Sequence, residues 1–179
     1  MKKIVVVFLL LIIFEGCSLT NTPSSKVEAF LDSYNTLTED VKQDLETKIS
    51  VENLNGENKK IYKEILTKQY KDLKYTIKDE SIDGDKATVK VNINVYDLYR
   101  ISKETEDYMK ENPNEFYEGN NFSQDKFNSY KLENMKNYSE RVDYEIDFTL
   151  NKVDGMWTLK EPNRDVLEKI HGLYNYETY

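Results

Sequence analysis

Cys17 is the residue of this sequence with the greatest capacity for covalent chemistry. It is the single cysteine of the 179-residue chain, so no intrachain disulfide and no multi-cysteine zinc site can form. Because no thiol follows Cys17, the rest of the chain also lacks a cysteine nucleophile. The role left for this sulfur is attachment, and the residues around it indicate what is attached.

The segment before Cys17 has the layout of a secretory signal peptide. Two lysines precede an apolar run over residues 4–14, and Cys17 follows shortly after that run. The run is too short to cross a bilayer, which takes about 20 apolar residues, but it suits the apolar region of a cleaved signal. We therefore predict that residues 1–16 are removed and that Cys17 becomes the first residue of the mature protein.

The residues Phe14-Glu15-Gly16-Cys17 resemble the lipobox of bacterial lipoproteins. Gly16 and Cys17 match that motif, whereas Phe14 and Glu15 depart from its usual leucine and small residue. The resemblance implies a diacylglyceryl cysteine, with fatty acids such as palmitate, that anchors the protein to the extracytoplasmic face of the bacterial cell membrane. Two acyl chains hold a protein stably, whereas one binds weakly. The alternative is a buried structural cysteine in a leader that is not cleaved.

His171 is the only histidine. A serine-hydrolase triad or a histidine metal site would need this residue beside specific partners. It precedes Gly172 in a segment with a helical pattern, and a histidine at a helix C-terminus interacts favourably with the helix dipole. We therefore interpret His171 as a helix-terminal residue.

Two acidic groups could in principle bind cations or transfer protons. Residues 83–85 read Asp-Gly-Asp, which is how a calcium loop can begin, but a strand pattern follows where the closing glutamate would be needed. Asp143, Glu145 and Asp147 alternate along one strand, where paired carboxylates could do acid–base work. We interpret the first group as a hairpin turn and the second as a solvated face, and we predict no catalytic residue, metal site or cofactor.

The charge of the chain limits its partners. The formal net charge is −8 at pH 7, and the acidic residues are scattered without a long run. Such a chain repels nucleic acid and anionic lipid headgroups, so we exclude nucleic acid as a partner and expect lipid, not a basic patch, to hold the protein. Aromatic residues make up 12% of the chain, which argues against disorder.

After the signal peptide over residues 1–16, the composition divides the chain into three parts. Residues 17–24 are mostly small and polar and indicate a flexible tether. Residues 25–173 carry regular helix and strand patterns and predict a single domain. Residues 174–179 carry no such pattern and are predicted to be a loose tail.

Helical patterns occupy the first part of the domain and its end. Ser25 and Glu28 form a capping box, in which a hydroxyl and a carboxylate satisfy free amide groups at a helix start. The predicted helices cover residues 25–34 and 57–70 and two further segments that begin after Thr38 and Asn163.

Strand patterns form two hairpins. Apolar residues alternate over residues 73–77 and 86–96, and again over residues 142–150 and 156–160. A helical insert over residues 102–138 separates the hairpins. The predicted fold is α+β: N-terminal helices pack on one face of a curved antiparallel sheet that is built from the two hairpins.

This layout resembles the nuclear-transport-factor-2-like superfamily, also called cystatin-like or ketosteroid-isomerase-like, which includes exported lipoproteins of unknown function. The matching segments are the helix over residues 25–34, the strand over 86–96 and the hairpin over 142–159. The resemblance implies that the helices and the concave side of the sheet enclose a cone-shaped pocket. The insert over residues 102–138 is longer than the usual connection in that superfamily.

Four aromatic residues fall on the predicted inner faces, namely Tyr34, Tyr75, Tyr144 and Trp157. In the resembled fold they would face the pocket, where the rings stack on a small ligand and the hydroxyls bind it. The competing interpretation is that these rings fill the core.

The sequence predicts a non-catalytic binding domain of the cell envelope, anchored in membrane lipid through acylated Cys17. Its partner would be an envelope protein, a peptide or a small ligand. One alternative is an enzyme of the ketosteroid-isomerase type, which needs a buried carboxylate close to a tyrosine such as Tyr75 or Tyr144. Another is a structural spacer with neither pocket nor partner.

Overall fold

The computed structural model of the protein describes residues 21–177. The predicted signal peptide over residues 1–16 and the lipidation site Cys17 lie outside the described residues. Within residues 21–177, none of the helices combines the length and apolar character needed to cross a membrane.

The described chain alternates blocks of helices with hairpins. In chain order the elements are α1 (Pro23–Thr36), α2 (Glu39–Val51), α3 (Gly56–Lys71), β1 (Lys74–Asp83), β2 (Lys86–Tyr96), α4 (Leu98–Glu111), β3 (Tyr117–Glu118), β4 (Asn121–Phe122), α5 (Gln124–Asn137), β5 (Arg141–Val153), β6 (Met156–Leu159) and α6 (Arg164–His171).

The main sheet has four antiparallel strands in the order β1-β2-β5-β6. The two predicted hairpins therefore lie side by side, with β2 paired to β5 across the long insert. Buried and less buried residues alternate along β2 and β5, because one face of the sheet meets the helices and the other meets water. On the wet face, Lys90 contacts Glu145 at 3.1 Å and Asn92 donates to Asp143 at 2.9 Å.

Helices cover the inner face of this sheet, as the sequence predicted. The first helix, α1, contacts β1, β2 and β6, while α6 contacts β2, and α3 packs among α1, α2, α5 and α6. The core is made of aliphatic residues from the strands and of rings from the helices, for example Val91 and Tyr70. The fold is thus α+β with helices on one side of a curved sheet.

The start of α1 differs from the prediction. Thr22, not Ser25, is the N-cap: its hydroxyl accepts a hydrogen bond from the Ser25 N–H, and the Ser25 hydroxyl accepts one from the Thr22 N–H. Pro23 follows the cap, where its fixed φ and missing N–H suit the first turn. The helix therefore begins two residues earlier and takes up the end of the predicted tether over residues 17–24.

The insert between the hairpins is a compact unit of two helices and a small ribbon. Helices α4 and α5 pack on each other, and the short strands β3 and β4 pair between them. Phe116 sits in a 3-10 turn after α4 and contacts the rings of Phe127 and Tyr130 on α5. These ring contacts fix the ribbon to the helices.

Helices α3 and α6 meet the end of β2 through a buried amide. Gln69 accepts a hydrogen bond from the Tyr96 N–H at 3.0 Å, and its Nε2 donates to the carbonyls of Tyr96 and Ile170, each at 3.3 Å. Gly172 ends α6 in the left-handed conformation, with φ of 71°. The absence of a side chain lets its backbone lie against Gln69 and the Tyr96 carbonyl.

Candidate functional site

The candidate site is a cleft where α6 lies beside α1, α2 and α3. We call it the tyrosine–histidine cleft. It has a volume of about 360 Å³, and binding sites for small molecules typically hold about 300–1,000 Å³. Its lining combines aromatic, aliphatic and charged residues, namely Tyr34, Val41, Asp44, Thr47, Lys48, Tyr70, Glu161, Leu167 and His171.

Tyr70 and His171 form the floor of the tyrosine–histidine cleft. Tyr70 comes from the last turn of α3 and His171 is the last residue of α6. The Tyr70 hydroxyl lies 2.9 Å from His171 Nδ1. A neutral imidazole accepts this hydrogen bond at Nδ1 when its own proton is on Nε2.

Burial keeps His171 neutral. It lowers the pKa of the imidazole from 6.5 to about 3, and the positive charge of Lys48 acts in the same direction. Burial also raises the pKa of Tyr70 above its ordinary value. At neutral pH the floor of the cleft is therefore an uncharged hydrogen-bonded pair.

Tyr34 forms a wall of the cleft. Its ring meets the Tyr70 ring edge to face, with centroids 5.1 Å apart, and meets Phe30 in the same way at 5.4 Å. Burial, assisted by the negative charge of Asp44, raises the pKa of Tyr34 to about 12. This is the predicted pocket residue that lies in the cleft.

The rim of the tyrosine–histidine cleft carries both signs of charge. Asp44 and Lys48 stand on α2, and Glu161 stands on the segment before α6. A neutral aromatic floor under a mixed rim suits a small ligand that has an apolar body and polar groups at its edge.

Tyr75 lies on the edge strand β1, half-buried. Its hydroxyl donates to Asp32 Oδ1 of α1 at 2.7 Å. The environment raises the pKa of Tyr75 to about 12, first through desolvation and then through the Asp32 carboxylate. Tyr75 thus ties β1 to α1.

Tyr144 is buried in the core on β5. The register pairs Tyr75 with Ile93 and Ile93 with Tyr144, so Ile93 separates the two tyrosines in one row of the inner face. The Tyr144 ring meets Tyr174 edge to face at 5.7 Å. Its hydroxyl oxygen is buried and has no hydrogen-bond partner among the described residues.

Trp157 lies toward the other end of the sheet from Tyr144. It pairs with Lys152, eight residues along β5 from Tyr144, which corresponds to about 27 Å at the usual rise of a strand. The structure therefore does not bring the four predicted residues into one pocket. It places Tyr34 in the tyrosine–histidine cleft, Tyr75 at the sheet edge and Tyr144 and Trp157 in the core.

Sequence reasoning assigned neither Tyr70 nor His171, the hydrogen-bonded pair of the cleft, to a site. The placement of His171 at a helix C-terminus was confirmed. Tyr70 was the last residue of the third predicted helix, but a helical pattern cannot show which distant residue will meet it. The pair is separated by 101 positions, and no local motif signals its formation.

The two sets of acidic residues singled out in the sequence lie in a hairpin turn and on the solvent-exposed face of a strand. Residues 83–85 form the turn between β1 and β2, with Gly84 at φ of 57°. Asp143 and Glu145 lie on the wet face of β5, where Asn92 and Lys90 contact them. In the part of the chain that the structure describes, no three histidine, cysteine or acidic side chains stand close enough together to hold a metal ion.

Comparison with known proteins assigns no family. No protein-family model matches the chain. The protein PFC0760c of Plasmodium falciparum is 29% identical over 87 residues, which span 49% of this chain and 2% of that protein. A crystal structure of the presumed lipoprotein YcdA from Bacillus subtilis matches with a TM-score of 0.42 and 16% identity, over 83% of this chain and 47% of that one.

Proposed function

We propose that this protein is an exported lipoprotein, anchored through a diacylglyceryl group on Cys17 at the extracytoplasmic face of the membrane, whose domain binds a small ligand without catalysis in the tyrosine–histidine cleft. The observation that carries the binding role is the cleft itself. It gathers Tyr34, Tyr70 and His171 around about 360 Å³ of space. The anchor rests on the signal layout and on Gly16-Cys17 in the sequence.

The chemistry of the cleft selects a class of ligand. The floor is neutral at physiological pH, because His171 and Tyr70 are buried in their uncharged forms. Their rings offer stacking surface, while Lys48 and the carboxylates of Asp44 and Glu161 stand at the rim. A compact molecule with an aromatic or alicyclic body and a zwitterionic or polar edge matches this arrangement.

One observation favours the alternative of a ketosteroid-isomerase-type enzyme. Asp97 is a buried carboxylate, and its negative charge contributes to the raised pKa of Tyr144 after desolvation, the larger cause. Both Asp97 oxygens are engaged, however: Oδ1 accepts from the Arg100 N–H at 3.1 Å and Oδ2 from the Tyr176 hydroxyl at 2.9 Å. We therefore interpret Asp97 as the N-cap of α4 and retain the binding role.

The anchor is tested by metabolic labelling with an alkyne fatty acid in a bacterial host that makes lipoproteins. We expect label on the wild-type chain and in its membrane fraction, and neither for Cys17→Ala. Equal labelling of Cys17→Ala and wild type would contradict the proposal.

The cleft is tested with the purified chain and a small-molecule extract of bacterial envelopes. After equilibrium dialysis, mass spectrometry identifies compounds enriched on the wild type. Leu167→Trp, which fills the half-buried edge of the cleft, should lose them. Val51→Trp is the matched control, since Val51 is exposed and lies outside the cleft. Retention of the same compounds by Leu167→Trp would place the binding elsewhere.

A further inference from the structure

Three large apolar side chains are exposed at one end of the main sheet. Ile82 is 53% exposed, Val153 55% and Met156 60%. Ile82 comes immediately before the turn over residues 83–85, and Val153 pairs with Met156 on either side of the turn of the second hairpin. We call these three residues and the two turns the sheet tip.

The two turns of the sheet tip belong to the same end of the molecule. The Lys152 N–H donates to the Asp85 carbonyl at 2.8 Å, which joins the second hairpin to the turn of the first. The exposed apolar residues point to opposite faces. Ile82 pairs with buried Ala87 on the inner side, whereas Val153 is three positions beyond buried Leu150 and so stands on the outer side. Apolar side chains on both faces of the sheet can all contact lipid when the end of the sheet is immersed. A flat partner surface could contact the side chains of one face only.

The chain also enters the domain at the sheet tip. The Asn21 side chain donates to the Gly155 carbonyl at 3.1 Å and accepts from the Trp157 N–H at 3.0 Å. These bonds hold the start of the described chain against the turn of the second hairpin. Helix α1 then runs away from this point along the inner face.

The length of chain before Asn21 limits how far the sheet tip can lie from a lipid on Cys17. Three residues lie between the two positions, and the four steps from Cys17 to Asn21 span at most about 14 Å when fully extended. A domain of this size is about 40 Å across. An acyl anchor on Cys17 therefore keeps the sheet tip within about 14 Å of the bilayer, whereas it sets no such limit on the opposite end of the domain.

We propose that the sheet tip contacts the lipid bilayer, with Ile82, Val153 and Met156 immersed in the interfacial region. This inference rests on the proposed acylation of Cys17. The two turns carry Asp83, Asp85 and Asp154 beside Lys86 and Lys152, so they offer no excess of positive charge to an anionic headgroup layer and suit a zwitterionic one. The occupant of the surface is thus neutral membrane lipid.

The test uses the full acylated chain in vesicles of phosphatidylcholine. Because Cys17 would carry lipid, a new cysteine can be labelled selectively with a nitroxide spin label. We place the label at Val153→Cys and, as control, at Lys74→Cys, an exposed site on β1 about 27 Å from Ile82 along the strand. Collisions with oxygen, which enters the bilayer, and with a water-soluble nickel complex, which does not, are measured by electron paramagnetic resonance.

We expect the label at position 153 to lose most of its nickel accessibility and gain oxygen accessibility when the protein is on vesicles, and the label at position 74 to keep its solution values. Vesicle flotation and intact mass report acylation separately. If the acylated chain floats with the vesicles while both labels remain equally accessible to nickel, the sheet tip does not touch lipid and the inference fails although the anchor stands. If intact mass shows that the chain carries no acyl group, both the proposed acylation of Cys17 and the proposed contact of the sheet tip with lipid are overturned.

Discussion

Lowering the pH from 7 to 5 should destabilise the folded protein by about 2 kcal/mol through His171 alone. Burial lowers the pKa of this residue to about 3 in the folded chain, against 6.5 for the free side chain. The folded state thus excludes a proton that the unfolded chain accepts. The stability that depends on the neutral ring is fully present above pH 6.5 and is lost progressively as the pH falls from 6.5 toward 3.

The magnitude follows from the number of protons bound. The excess of protons on the unfolded chain over the folded chain is about one half at pH 6.5 and nearly one by about pH 5.5, where the free energy of unfolding falls by about 1.4 kcal/mol per pH unit. About 1.5 units of this slope gives the figure of about 2 kcal/mol. The cause is desolvation in the tyrosine–histidine cleft, to which the ammonium of Lys48 adds.

The measurement is urea unfolding at pH 7 and pH 5, followed by the fluorescence of Trp157, which is buried and is the chain's only tryptophan. The comparison variant is His171→Asn, whose amide oxygen can accept the Tyr70 hydroxyl in place of Nδ1. Because the chain contains one histidine, the difference between the two proteins isolates its titration and cancels the protonation of carboxylates.

Wild type should lose about 2 kcal/mol more than His171→Asn over this pH range. An NMR titration should show that the His171 ring stays neutral in the folded protein down to pH 5. Equal losses for the two proteins would refute the reasoning, since they would mean that Asp44 and Glu161 at the rim offset the desolvation of the ring.

Three further substitutions test the packing, each through the urea midpoint measured by Trp157 fluorescence. Gly172→Ala should destabilise by at least about 2 kcal/mol, because the backbone has a positive φ and the added carbon meets the Tyr96 carbonyl; an unchanged midpoint would show that this junction can relax. Tyr144→Phe should leave stability unchanged or raise it by up to about 1 kcal/mol, because it removes a buried hydroxyl without a described partner, and a clear loss would reveal a bond to that oxygen. Arg141→Lys should cost about 1–3 kcal/mol, because Arg141 Nη2 donates to the carbonyls of Asp72 and Asn94, both at 2.7 Å, from one forked group; a smaller loss would mean that an ammonium can satisfy both carbonyls.

The sheet could be predicted from the sequence because its inner face is buried and its outer face is wet. Each strand then shows a period of two, as in the run of valines along β2, and a slip of one residue would expose every one of them. The hairpin turns could also be predicted from the sequence. Asp154 and Gly155, for example, are residue types that tolerate the positive φ such a turn requires, and both adopt it. The order of the strands came only from the structure, because pairing of β2 with β5 depends on how the insert folds.

The candidate site could not be read in the same way. Tyr34 was recognised as inward-facing from the helical period of α1. Its partners Tyr70 and His171 lie on α3 and α6, and these helices meet through packing on the sheet and through the buried amide of Gln69. Periodicity in the sequence shows which face of a helix or strand is buried. A site between elements depends on long-range contacts, and these produce no regular residue spacing from which they could be predicted.

The direction of α1 relates the proposed anchor to the tyrosine–histidine cleft. This helix starts at the sheet tip, and Tyr34 is eleven residues after Pro23, or about 17 Å along the axis. Near its C-terminal end, Asn35 donates to the carbonyls of Tyr70 and Leu73, which fixes α1 to the end of α3 and to the residue before β1, far from the hairpin turns. If the sheet tip lies on the bilayer as proposed and α1 points away from the surface, the tyrosine–histidine cleft lies on the side away from the lipid, where a water-soluble ligand reaches it without crossing the headgroup layer.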